Sequence, residues 1–185
     1  MSLKKLKNLR LRPDCTIKNQ DEVHFSVEST KIRTWSLKGK RPVVKSYAGR
    51  KSVAYSGYVN PMTGELIVHK VSWFTYETVL QSLRDLIAIH PGDQKIVVVM
   101  DNAPWHKKAK RYIATMPECA DIAERIEILS LPPYSPDLNP IERVWRMARR
   151  EQTHNTFFPD LQTLTDKLDN YFARFRDPNS KLVTL

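Results

Sequence analysis

Two acids of this 185-residue chain stand where a carboxylate can do chemistry. Asp101 ends the apolar run Ile96-Val97-Val98-Val99-Met100, the pattern of a strand buried on both sheet faces. Such a strand delivers its next residue to the carboxyl edge of the sheet, where open α/β folds bind ligands. Glu142 lies in Leu131-Pro-Pro-Tyr-Ser-Pro-Asp-Leu-Asn-Pro-Ile-Glu142-Arg-Val-Trp145, a proline-stiffened loop running into a helix. A third acid, Asp21, falls beside Glu22 within a strand-like segment, where a carboxylate is costly unless paired or metal-bound. Asp14, ahead of that segment, is a weaker candidate.

Each acid also has an ordinary reading. Asp101 suits a turn that caps the following helix. Glu142 suits a capping box, three residues after Asn139 as N-cap and with Pro140 at the first helical position. Asp21 suits a loop. Brought to one sheet edge, however, the three would offer hard oxygen donors to Mg²⁺. Two such ions about 3.5–4 Å apart can activate an attacking oxygen and stabilise the leaving one in phosphodiester exchange.

The elements that would position these acids can be read from periodicity. Residues 15–27 form a first strand, with Val23, Phe25 and Val27 alternating with polar residues. Residues 42–59 and 65–73 are strand-like and flank the turn cluster Asn60-Pro-Met-Thr-Gly64, which predicts a hairpin. Tyr76, Val79, Leu80, Leu83 and Ile87 keep helical spacing up to His90-Pro91-Gly92. After the strand 95–100, residues 107–126 read as helix interrupted at Pro117, and 126–131 as a fifth strand. A helix from Pro140 places Ile141, Val144, Trp145 and Ala148 on one face; a last one aligns Leu161, Leu164, Leu168, Phe172 and Phe175. The order predicts one α/β domain, a mixed five-stranded sheet flanked by helices.

Composition narrows the partner. Thirty Lys and Arg against 20 Asp and Glu give a formal charge of +10, and four stretches hold 21 of the 30 basic residues. These are residues 1–12, the acid-free span Ser29–Gly64, the run Lys107, Lys108, Lys110 and Arg111, and Arg143, Arg146, Arg149 and Arg150. Each alone is an ordinary solvated surface. Together they favour nucleic acid, whose phosphates supply most non-specific binding energy. No apolar run reaches bilayer length, the N-terminus lacks a signal-peptide pattern, and Cys15 and Cys119 form no CxxC pair. The expectation is a soluble intracellular protein.

The stretch Val97-Val-Val-Met-Asp101-Asn-Ala-Pro-Trp-His106, followed by the proline block ending in Asn-Pro-Ile-Glu142, resembles the DDE transposases of the mariner superfamily, on the prokaryotic insertion-sequence branch. Asp21-Glu22-Val-His-Phe, with Trp35 and Gly39 after it, is similar to that family's first catalytic segment. The resemblance covers roughly residues 15–152. It implies an RNase H-like fold, and cleavage at transposon ends with strand transfer of the freed 3′-hydroxyl into target DNA. It also implies two Mg²⁺ ions, for which Mn²⁺ substitutes, a homodimer as the active complex, and a cytoplasmic, nucleoid-associated location. Residue by residue, Asp21, Asp101 and Glu142 match the catalytic, metal-binding acids. Asn102 and His106 match positions near the metals, in supporting roles; a histidine within a basic run also suits a plain surface position. Lys107, Lys108, Arg146 and Arg149 are the candidate contacts to DNA phosphates, where the arginine fork fits well.

Two departures qualify the match. Residues 1–14 read only as a basic segment ahead of a catalytic domain at 15–185, so the family's N-terminal helix-turn-helix region is expected either to be encoded separately or to belong to a longer protein of which this chain is a fragment. Forty residues separate Asp101 from Glu142, longer than the family's usual spacing, with the extra length expected around Pro117–Asp121. The competing functions are an inactive, domesticated DNA-binding remnant and another RNase H-like nuclease such as a retroviral-type integrase. The proline block and the lack of a His/Cys zinc module argue against the integrase. Of the four tryptophans, Trp145 is expected in the core and Trp105 is the one left open for base stacking, ahead of Trp35 and Trp73.

Overall fold

The computed structural model describes residues 15–28, 30–40, 42–45 and 51–183. The basic segment 1–14, Asp14, Arg41 and Arg50 lie outside these described residues. Five strands form one sheet: β1 (Cys15–Ser26), β2 (Ser52–Val59), β3 (Leu66–Val71), β4 (Lys95–Met100) and β5 (Ile126–Ser130). Their order is β3-β2-β1-β4-β5. β1 pairs antiparallel with β2 and parallel with β4, and β4 pairs parallel with β5. This is the mixed, RNase H-like sheet the sequence implied.

Helices cover both faces: α1 (Tyr76–Ile89), α2 (Pro104–Thr115), α3 (Ala120–Arg125), α4 (Pro140–Ala148), α5 (Leu161–Ala173) and α6 (Ser180–Val183). Alternation along β1 divides the layers. Val23 and Phe25 join Tyr55 and Val59 under Trp145 of α4 and Leu164, Leu168 and Phe172 of α5. On the opposite face, Tyr58, Ile96, Val98 and Met100 pack against Val79, Leu83 and Leu86 of α1, Ala109 of α2 and Ile122 of α3. The remaining β4 side chains, Val97 and Val99, meet Ile17 and Leu131. Hence Ile96 to Met100, the five residues before Asp101, are all apolar and buried. Each such buried aliphatic chain contributes about 1.5–3 kcal/mol.

Several expectations need correction. The second strand begins at Ser52, since residues 42–45 carry no strand pairing. The helix expected from 107 starts at Pro104, because proline suits a first helical position. A π turn at Arg149–Thr153 ends α4, and α6 was not foreseen. Lys18 of β1 is fully buried, its Nζ paired with Glu65 Oε2 at 2.6 Å.

The hairpin turn is as predicted, and α6 locks it. Gly64 donates its N–H to the Asn60 carbonyl at 2.8 Å, and Asn179 N–H donates to the Thr63 carbonyl at 2.8 Å. Gly64 has φ +73°, and a Cβ there would collide with the Asn179 carbonyl oxygen. We therefore expect Gly64→Ala to lower the unfolding free energy by more than about 1 kcal/mol, read from urea midpoints.

Candidate active site

Strand register brings two of the acids level. The last β1–β4 pair is Asn19↔Val99, and Asp21 and Asp101 each lie two residues beyond it on parallel neighbours. β1 continues past this point along β2, where Asp21 is paired with Gly57. Glu142 arrives from the first turn of α4. All three line one pocket of about 550 Å³, together with Lys107, Pro133, Tyr134 and Asn139.

The motif residues around the acids tie elements together. Asn102 Nδ2 donates to the Leu131 carbonyl at 2.7 Å, fastening the end of β4 to the start of the proline loop. Asn139 does not cap α4 with its side chain, contrary to the capping-box reading. Its Nδ2 instead donates to the Gln20 carbonyl of β1 at 3.0 Å, seating α4 beside Asp21. Tyr134, at the pocket rim, is fully exposed with φ +55°.

Each aspartate has one carboxylate oxygen held by a buried donor. Trp145 Nε1 donates to Asp21 Oδ2 at 3.2 Å. His106 Nδ1 and the Ala103 N–H meet Asp101 Oδ1 at 2.6 and 2.9 Å. The other ring nitrogen of His106 lies 2.8 Å from Glu22 Oε1. With both ring nitrogens facing carboxylates, His106 is a charged clamp. Burial opposes its charge, but the bonds to Asp101 and Glu22 outweigh that and raise its pKa to about 9. His106 is 2% exposed, which overturns the surface reading. The hydrogen bond from His106 in turn holds Asp101 below the usual carboxylate range, against its partial burial.

Asp21 is pushed the other way. Burial, then the charge of Glu142, raise its carboxyl to about 7, with Glu22 and Asp101 adding to the repulsion. Repelled by its neighbours, the Asp21 carboxylate gains from a countercharge, and oxygen donors suit a hard divalent cation. The donor set therefore fits Mg²⁺ or Mn²⁺. Among the described residues, no three His, Cys, Asp or Glu side chains are gathered closely enough to enclose an ion by themselves. The three acids border an open pocket.

The basic candidates divide. Lys107 lines the pocket, and Arg146 is exposed on α4 one turn from Glu142. Lys108 sits over Tyr76, its Nζ 3.7 Å from the ring centroid. Arg149 donates to the His24 carbonyl at 3.4 Å and lies 5.5 Å from the Phe25 ring. Among the tryptophans, Trp145 is core as expected, but the exposed ones are Trp35 and Trp73, while Trp105 packs 6.0 Å from Phe74.

Sequence reasoning missed Glu22, whose only signal was its place one residue after Asp21 and hence on the opposite sheet face. It also missed the bond between Trp145 and Asp21. No helix among the described residues is long and apolar enough to cross a membrane.

The family model described as "DDE superfamily endonuclease" matches residues 17–165. "Uncharacterized protein y4pE/y4sA" of Sinorhizobium fredii (strain NBRC 101917 / NGR234) is 34% identical over 89 residues, covering 48% of this chain and 59% of that protein. Among solved structures, the Mos1 mariner paired end complex with Mn matches with TM-score 0.65 at 17% identity, over 97% of this chain and 54% of that one. The corresponding complex with Mg gives 0.62 at 18% identity, over 98% and 55%. The likeness to these structures establishes the fold, and this chain spans about half their length.

Proposed function

Because the chain belongs to the DDE superfamily endonucleases, we propose that residues 15–185 form the catalytic domain of a transposase. It cleaves DNA strands at transposon ends and transfers them into target DNA. The observation that carries this reading is the convergence of Asp21, Asp101 and Glu142, from three separate elements, on one pocket. Those three carboxylates would hold Mg²⁺, or Mn²⁺ in its place. When bound, the metal supplies Lewis acidity toward the scissile phosphate and lowers the pKa of an attacking oxygen. Support comes from the structural neighbours, which are described as paired end complexes with Mn and with Mg.

The chain's own residues then divide the work. Asp21 of β1, Asp101 just after β4 and Glu142 of α4 would together hold the metal. His106 keeps Asp101 in one orientation and ionised. Lys107 and Arg146 bind DNA phosphates, with Lys108 and Arg149 as further contacts. The active complex on DNA is a homodimer, in the cytoplasm and associated with the nucleoid, with residues 1–14 adding basic charge.

The test is cleavage of duplex DNA carrying the element's terminal sequence. We expect nicking and strand transfer in Mg²⁺ or Mn²⁺, none in EDTA, and recovery when the metal is restored. Cleavage that persists in EDTA would overturn the metal-dependent reading. DNA affinity should fall steeply with salt, and Arg146→Glu should flatten that slope by about one phosphate contact.

A further inference from the structure

We propose that Trp145 is a positioning residue for Asp21, and that Gly57 is required to admit its indole. This deepens the metal-ligand reading of Asp21 and rests on it. Trp145 belongs to the apolar stripe of α4, is 1% exposed, and packs edge-on to Phe172 with ring centroids 5.7 Å apart. As core filling alone, its N–H would be a liability, since a buried indole must find an acceptor. Here the acceptor is Asp21 Oδ2 at 3.2 Å, so the packing of α4 and the orientation of Asp21 are one event. Oδ2 is held by the core while Asp21 lines the pocket.

The partner of this arrangement lies directly across the sheet. Gly57 is paired with Asp21 on β2, in the middle of a strand, where glycine costs about 0.5–1 kcal/mol relative to alanine. A Cβ at that position would stand 2.5 Å from Trp145 Cη2, 2.7 Å from Cζ2 and 3.1 Å from Ile141 Cδ1. Both obstructed residues belong to α4, and Ile141 directly precedes Glu142. The missing side chain therefore lets the helix bearing the third acid approach β1, and lets its indole reach Asp21. Glycine in a strand interior marks such close approach. Asp21 is held from the α4 face by Trp145, as Asp101 is held from the α2 face by His106.

The experiment compares the full chain with four variants. In the first, Trp145→3-benzothienylalanine, sulfur replaces the N–H in a ring of nearly the same shape; the others are Gly57→Ala, Trp145→Phe and Gly57→Ala/Trp145→Phe. For each, the urea midpoint, the affinity for Mn²⁺ alone by titration calorimetry, and kcat and KM for DNA nicking are measured. The benzothienyl variant should keep its urea midpoint and its KM, yet lose 10–100-fold in Mn²⁺ affinity and kcat, the usual effect of removing a ligand's outer partner. Gly57→Ala should lose both stability and Mn²⁺ affinity. In the double variant the smaller ring should restore the urea midpoint without restoring the affinity. A benzothienyl variant within twofold of the parent in Mn²⁺ affinity and kcat would reduce Trp145 to core filling and overturn the proposal. Asp21→Asn separates the two readings: if it too left Mn²⁺ binding unchanged, the metal-ligand reading of Asp21 would fall as well.

Discussion

Asp101→Asn should reduce metal-dependent DNA cleavage by about 10³-fold or more while leaving the fold and most of the DNA affinity intact. The asparagine carbonyl can still accept from His106 and from the Ala103 N–H, the two contacts that hold Asp101 Oδ1. What changes is the second oxygen, replaced by an amide NH₂ that cannot bind a cation. A ligand charge at a transition-state metal is worth several kcal/mol, and each 1.36 kcal/mol is a factor of ten in rate. DNA affinity rests on phosphate contacts with Lys and Arg, which this change leaves in place. Gel-based nicking and fluorescence anisotropy on the same preparation check the two halves. Cleavage within tenfold of the parent would remove Asp101 from the metal site.

His106→Ala should have the largest effect on stability, about 3–5 kcal/mol, the usual penalty for removing one partner of a buried charged pair. The imidazolium is 2% exposed, and the Glu22 carboxylate facing it is only 7% exposed. Without the ring, the side-chain bond left to Glu22 among the described residues is the 2.9 Å one from Gln20 Nε2, and its charge is stranded between β1 and α2. Asp101 loses its 2.6 Å anchor in the same step, so nicking should fall together with the urea midpoint. The control is Glu22→Gln. In the double variant Glu22→Gln/His106→Ala the stranded charge is gone, so stability should recover by at least about 1 kcal/mol relative to His106→Ala. Additive losses would mean that His106 and Glu22 are not coupled.

Both predictions involve residues that differ in how far the sequence exposes them. The three acids that line the pocket were legible from local pattern: Asp101 after a doubly buried strand, Glu142 after a proline-stiffened loop, Asp21 as a carboxylate inside a strand. The basic surface was legible as charge clustering. The capping-box expectation for Asn139 failed because two partners compete for one amide. Locally the helix amide is nearest, but the folded chain offers the Gln20 carbonyl of β1, 119 residues away in sequence. The exposure of Trp35 and Trp73 was not legible either, since hydrophobicity describes a side chain and not whether another element arrives to cover it.

The sequence by itself determined the strand and helix periodicities, the hairpin turn, the chemical types of the site residues and the family. These follow from neighbours along the chain, where spacing of 2 or 3.6 residues is enough to define a face. Only the tertiary structure decided which faces meet. Asp21 and Glu22 are adjacent in sequence but point to opposite sides of the sheet, one to Trp145 and the other to His106. Those partners lie 124 and 84 residues away. They are fixed by strand register and helix packing, which depend on the burial of the whole core and not on any local pattern.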